Sequence, residues 1–232
     1  MLTIGLLGGM SWESTLPYYR IVNQTVTERL GGLHSARLVL YSVDFDGIAA
    51  RQRAGEWAEA GVELAAAAGI LKTAGADFLV LCTNTMHKVA PAIEAAGLPL
   101  LHIVDPTAEE VRAAGLCRVG LLGTRFTMED GFFRERLRDR HGIESLVPDA
   151  EGRAAVHRII YDELCRGVVS EESRAIYRRV IGDLVAAGAE GVILGCTEIM
   201  LLVGEADSPV PTFDTTRLHA RAAALRSIAP GE

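Results

Sequence analysis

Two stretches of this chain, more than a hundred residues apart, are written alike. One reads Ala74-Gly-Ala-Asp-Phe-Leu-Val-Leu-Cys82-Thr83-Asn84 and the other Ala187-Gly-Ala-Glu-Gly-Val-Ile-Leu-Gly-Cys196-Thr197-Glu198. In each, a glycine closes a helical pattern, an unbroken apolar run follows, and the run stops at Cys-Thr. Such a run, bounded by glycine, reads as a strand of a parallel sheet covered on both faces. The opening Ile4-Gly5-Leu6-Leu7-Gly8-Gly9 recurs as Val119-Gly120-Leu121-Leu122-Gly123-Thr124, and Pro99 with its strand is echoed at Pro209. The offsets, Gly5 to Gly120, Cys82 to Cys196 and Pro99 to Pro209, are 115, 114 and 110 residues. Three matches in one order at nearly one offset imply duplication of an α/β unit half the chain long. Solenoid and propeller repeats are far shorter, roughly 20–50 residues.

The expected fold is therefore α/β, with two similar parallel-sheet α/β domains related by a pseudo-twofold axis and the site in the cleft between them. Strands are expected at 2–7, 37–43, 78–81, 100–104, 118–122, 145–147, 191–194 and 210–212. Helices are expected over 14–30, 56–73, 85–96, 154–165, 171–187 and from Asp214 to about Arg226. The domains read as 1–105 and 106–213, with the last helix, 214–232, free to pack on the first. Each Cys-Thr then stands where a strand ends and a helix begins, the edge at which open α/β sheets bind ligands.

Composition narrows the class. With 49% hydrophobic residues, 232 residues can bury a sizeable core. No stretch approaches the roughly 20 apolar residues of a membrane span, and no basic segment precedes an apolar one at the start, as a secretory signal would require. The first strand is expected almost at Met1, which leaves no room for a targeting peptide. Four cysteines (Cys82, Cys117, Cys165, Cys196) do not make a disulfide framework. With no Cys-x-x-Cys and no His-x-x-x-His, no metal is expected. Cytoplasmic location and reduced thiols follow as expectations. A net charge of −7 argues against nucleic acid and against an anionic membrane as partners. An anionic substrate would have to be attracted by local groups.

A buried free cysteine often acts as a small hydrophobe, and Cys117 and Cys165 read that way. The duplicated pair reads differently, because drift would have replaced one of two inert copies. A helix N-terminus would lower the thiol pKa from about 8.5 and offer backbone N–H groups to a carboxylate. Gly8-Gly9-Met10-Ser11 lacks the dinucleotide-fingerprint spacing and reads as a tight turn, an anion cradle, or both. His87 would hydrogen-bond near Cys82 or simply cap a helix. His102, His157 and His219 have no visible triad companions. Arg51-Gln52-Arg53 reads as a loop leading into a helix and is the best local source of positive charge.

Gly5-Leu-Leu-Gly-Gly-Met-Ser-Trp-Glu-Ser14, Cys82-Thr-Asn-Thr-Met-His87 and Gly195-Cys-Thr-Glu198 together resemble the aspartate/glutamate racemase family that works without pyridoxal phosphate, closest to its bacterial aspartate/glutamate-specific branch. The resemblance spans the chain, including Gly55-Glu-Trp57 and Phe213-Asp-Thr215. It implies catalytic roles for Cys82 and Cys196 and substrate contacts from Met10, Gln52, Thr83, Asn84, Thr85, Thr197 and Glu198. It also implies a small acidic amino acid as substrate, no cofactor, and room for a homodimer. Some aspartate racemases of the family carry a lysine where Leu164-Cys165-Arg166-Gly167 stands. Here the lysines are Lys72 and Lys88, which points to a pocket that takes glutamate as well as aspartate. Two thiols, one as thiolate and one as thiol, would exchange the weakly acidic Cα proton on opposite faces. The alternatives are an isomerase or decarboxylase of another dicarboxylate such as maleate, a hydantoin racemase, or a non-catalytic small-anion binding protein.

Overall fold

The computed structural model describes residues 1–229. The chain forms two compact units: Met1–Ile103 joined by the residues from His219 onward, and Val104–Leu218. Each contains one four-stranded, wholly parallel sheet.

The first unit comprises β1 (Ile4–Gly8), α1 (Trp12–Leu30), β2 (Leu38–Ser42), α2 (Phe45–Ala54), α3 (Trp57–Thr73), β3 (Phe78–Leu81), a 3-10 turn (Thr85–Val89), α4 (Ala90–Glu94) and β4 (Leu100–Leu101). Its strand order is β2-β1-β3-β4. The second unit comprises α5 (Val104–Ala113), β5 (Arg118–Gly123), α6 (Arg125–Glu129), α7 (Gly131–His141), β6 (Glu144–Leu146), α8 (Ala150–Asp162), a 3-10 turn (Leu164–Arg166), α9 (Glu171–Ala186), β7 (Val192–Gly195) and β8 (Thr212–Asp214). Its order is β6-β5-β7-β8, the same topology, as the duplication predicts. The last helix, α10 (Thr215–Ile228), carries the chain back to the first unit. There Ala220, Ala223 and Ala224 pack with Ile4, Leu6 and Tyr18. Among the described residues no helix is long and apolar enough to cross a membrane.

Strands β1, β3 and β7 are buried at every position, because helices cover both faces of each sheet and leave no polar side to solvate. Strand order reverses between β1 and β3, and again between β5 and β7. The carboxyl ends of these two pairs are the switch points at which α/β sheets open a ligand crevice.

Several expectations are corrected. The single helix expected over 85–96 is a 3-10 turn followed by the five-residue α4. Pro91 has no N–H to give and its ring crowds the carbonyl four residues back, so the helix restarts at Ala90. Arg51, Gln52 and Arg53 lie in the last turn of α2, not in a loop. Helices α2, α5, α6 and α7 are not foreseen. The boundary expected between residues 105 and 106 falls inside α5, two residues past the division between Ile103 and Val104.

The two sheets also differ in register. In the first, Leu81, just before Cys82, pairs with Leu7. In the second, Gly195, just before Cys196, pairs with Gly123, which corresponds to Gly8. Side chains alternate along a strand, so a one-residue shift turns the strand end to the other face. Cys82 accordingly packs with Leu6, Phe78, Val80 and Tyr18, whereas Cys196 packs with Leu122, Val192, Leu194 and Tyr177. The drift from an offset of 115 to one of 114 between the two motifs carries this shift. The two cysteines hold equivalent positions in sequence but face different helix layers of their own units.

Candidate active site

In the first unit the ends of β1 and β3 carry the glycine loop and the Cys82 turn. Gly9 has φ +91°, and a Cβ there would lie 2.3 Å from the Val43 carbonyl oxygen, so the loop requires glycine. The Gly9 N–H donates to Thr15 Oγ1 at 2.9 Å, and Thr15 Oγ1 donates to the Ser11 carbonyl at 2.8 Å. The tight-turn reading prevails over the anion cradle at this position, since the donor that would face an anion is already engaged.

Cys82 is wholly buried, and its thiol faces the Val80 carbonyl at 3.7 Å. Met10, Gln52, Thr83, Asn84 and Thr85, all in this unit, are buried as well. Gln52 donates from Nε2 to Met86 Sδ at 3.0 Å, which ties the end of α2 to the turn after Cys82. Of the three polar residues put forward there, only Gln52 points inward. Arg51 pairs with Glu63 at 2.7 Å and is partly exposed, and Arg53 is exposed. Arg166, in the second unit, is exposed too.

His87 is structural. The Ile103 N–H donates to His87 Nε2 at 3.2 Å, so that nitrogen must be unprotonated. Nδ1 then carries the proton and donates to the Thr83 carbonyl at 2.8 Å. The ring is a neutral brace between the turn after Cys82 and the end of the first unit. It also belongs to a cluster the sequence reading misses. The His102 ring lies 4.4 Å from His87 and the His219 ring 6.0 Å, and His219 bonds Tyr18 Oη at 2.9 Å and the Leu101 carbonyl at 2.8 Å. Its members are spread from residue 18 to residue 219, beyond any local motif.

In the second unit the Cys196 thiol donates to Glu198 Oε2 at 3.0 Å, and Thr197 Oγ1 donates to the same oxygen at 2.9 Å. All three residues are buried. The Cys196 thiol is held well above the ordinary thiol range, first by burial and then by the Glu198 charge. Cys165, read from sequence as structural, packs against the cluster that contains Cys196, and its thiol is raised by burial and by Glu198. Burial alone raises the Cys82 thiol.

The expectation that both thiols are acidified is corrected. The elements that follow them are 3-10 turns of five and three residues, not long helices. Their end charges are small beside the cost of ionising a thiol away from water. As folded, both thiols are protonated.

Duplicated Cys-Thr turns at the switch points of two like sheets match what the comparisons find. A family model described as Asp/Glu/Hydantoin racemase matches residues 7–223. The chain belongs to the Asp/Glu/hydantoin racemase family. Its structure is similar to that of a protein from Yersinia pestis described as a candidate Asp/Glu racemase, with a TM-score of 0.90 and 58% identity over 98% of this chain and all (100%) of that one. An aspartate racemase homologue from Pyrococcus horikoshii is 33% identical, with a TM-score of 0.82 over 98% and 99% of the two chains. Among curated relatives, the broad specificity amino-acid racemase RacX of Bacillus subtilis is 24% identical, over 94% of this chain and 95% of its own. Members of this racemase family act on small amino-acid substrates, and the two-unit α/β architecture is shared across the similar structures.

Proposed function

We propose that this racemase-family chain interconverts the L and D forms of an acidic amino acid without a cofactor, using Cys82 and Cys196 as its two proton-handling groups. The observation that carries the reading is the Cys-Thr turn repeated at the switch point of each sheet. Inversion at Cα needs a base on one face and an acid on the other. In one direction the Cys82 thiolate takes the Cα proton and the Cys196 thiol delivers its own to the opposite face. Cys82 ends as thiol and Cys196 as thiolate, and the reverse reaction restores both. Thr83, Asn84 and Thr197 would donate to the substrate carboxylate, where the carbanion's charge collects.

Both thiols are protonated as folded, so one must ionise when substrate binds. The substrate ammonium is the natural trigger, because an opposite charge within about 4–6 Å favours the ionised form. The test is deuterium incorporation at Cα from solvent with purified protein and no added cofactor. No exchange with aspartate or glutamate would end this reading.

A broader substrate range is the second reading. The inward-facing polar group of α2 is the Gln52 amide, not a cation, and one relative is a broad specificity racemase. A panel of aspartate, glutamate, asparagine, alanine and hydantoins separates the two. Preference for a neutral amino acid would favour the broader enzyme and leave the two-thiol chemistry standing.

A further inference from the structure

The buried His87 ring holds one particular peptide of the Cys82 turn. Its Nδ1 donates to the Thr83 carbonyl at 2.8 Å, and its Nε2 accepts the Ile103 N–H at 3.2 Å. Ile103 is itself buried and follows β4, which lies on the far side of β3 from β1. The His102 ring packs against His87 at 4.4 Å. A flip of the His87 ring would put carbon where each nitrogen stands and lose both bonds. The Thr83 carbonyl is therefore drawn toward the β4 side, away from the switch point between β1 and β3.

One peptide unit carries the consequence. The Thr83–Asn84 bond is trans, and a peptide is planar. Fixing its carbonyl fixes the backbone from which the Thr83 and Asn84 side chains depart. It also turns the Asn84 N–H the opposite way, toward the β1 side. The duplicate turn lacks this device. At the offset of 114 that relates Cys82 to Cys196, His87 corresponds to Leu201, whose side chain donates nothing. There the Thr197 hydroxyl is engaged by Glu198 Oε2 at 2.9 Å, and the buried Glu198 carboxylate would repel a second one.

We propose that the Cys82 turn carries the main hold on the substrate α-carboxylate, and that His87 is the positioning residue that sets Thr83 and Asn84 for it. The proposal rests on the acidic-amino-acid reading above and deepens it. His87 acts through the turn: it moves no proton and touches no substrate.

The test compares His87→Asn with His87→Gln, because each amide reproduces one ring nitrogen. Asparagine sets an N–H near the place of Nδ1 and keeps the bond to Thr83. Glutamine sets an oxygen near the place of Nε2 and keeps the bond to Ile103. Both variants should melt below the unaltered protein, each having lost one buried bond. Calorimetric affinity for L-aspartate and L-glutamate should stay within a few-fold in His87→Asn. It should fall about tenfold or more in His87→Gln, the loss of a hydrogen bond to a charged group. KM should follow the affinity. Equal affinity in the two variants, or the reverse order, would overturn the proposal, since a merely structural ring predicts losses that track melting temperature. If His87→Gln does not fold, the unaltered protein labelled with nitrogen-15 replaces it. Its Asn84 amide proton should move downfield when aspartate is added, and an unmoved resonance overturns the assignment of the carboxylate to this turn. An unaltered protein that neither binds nor racemises an acidic amino acid defeats the parent reading and this one with it. Binding without racemisation defeats the two-thiol chemistry alone, because affinity reads His87 without turnover.

Discussion

The Cys196 thiol and the Glu198 carboxylate lie 3.0 Å apart, with the sulfur donating and both side chains buried. Cys82 has no acid in the corresponding place; Asn84 stands there. The two thiols therefore begin from unequal settings, one apolar and one acidic. Exchange in the two directions is expected to differ in pH dependence.

Glu198→Gln keeps the shape of the acceptor and removes its charge. The Cys196 pKa is raised by burial and then by the Glu198 charge, so removing the charge should lower it. Thiolate absorbance with Cys196 as the sole cysteine should rise at lower pH than in the Glu198 parent. An unshifted curve would mean that burial alone sets the thiol.

Cys82→Ser and Cys196→Ser should each reduce racemisation by about 10²–10⁴-fold, because each removes the group serving one face. Cys117 is exposed and in no described contact with the turns, so Cys117→Ser should retain turnover within a few-fold. Circular-dichroism assays from both enantiomers measure all three. Full activity in either Cys82→Ser or Cys196→Ser would end the two-base scheme.

Gly9 and Gly75 share φ +91°, but a Cβ at Gly9 meets the Val43 backbone while one at Gly75 meets nothing within 4 Å. Gly75→Ala should cost about 1 kcal/mol, the penalty of the left-handed region. Gly9→Ala should cost about 3 kcal/mol or more, since a backbone clash is added. Urea denaturation of the two variants isolates the steric part.

His157 is half-buried near Phe126 and Tyr161 and accepts the Arg125 N–H at Nδ1, 3.2 Å away. Burial, then the Arg125 charge, lowers its pKa. The folded state therefore resists a proton that the unfolded chain takes up near pH 6.5. This contribution to stability is present above that pH and is lost as pH falls through it toward the lower folded-state value. His157→Gln should show a smaller drop in urea midpoint between pH 7.5 and pH 5 than the unaltered protein; an equal drop would assign the acid sensitivity elsewhere.

Much of the fold is legible locally. The apolar run Phe78–Leu81 is a strand at the expected residues, and the Gly31 and Gly188 stops lie where helices end. Local signals fail where context decides. Helix α7, Gly131–His141, carries six charged residues and buries only Phe133 and Leu137, too few apolar positions to show a helical period. Helix α5 buries Val104, Ala108 and Val111 on one face, but Pro106 in its first turn reads as a break unless the helix start is known.

The candidate site divides in the same way. Repeated apolar runs ending in Cys-Thr, and the repeated β1 and β5 motifs, are covalent facts, and they determine two like parallel sheets with a thiol at each switch point. The side each thiol faces, and what surrounds it, is not written in those runs. It depends on strand register, where one residue exchanges the two faces of a sheet, and on helices brought in from elsewhere in the unit. Only the tertiary structure sets Glu198 against Cys196, brings Tyr177 and Cys165 into that cluster, and ties Gln52 to Met86. The same packing decides the protonation of the thiols: a short sequence motif suggests an acidified cysteine, but complete burial holds the proton on.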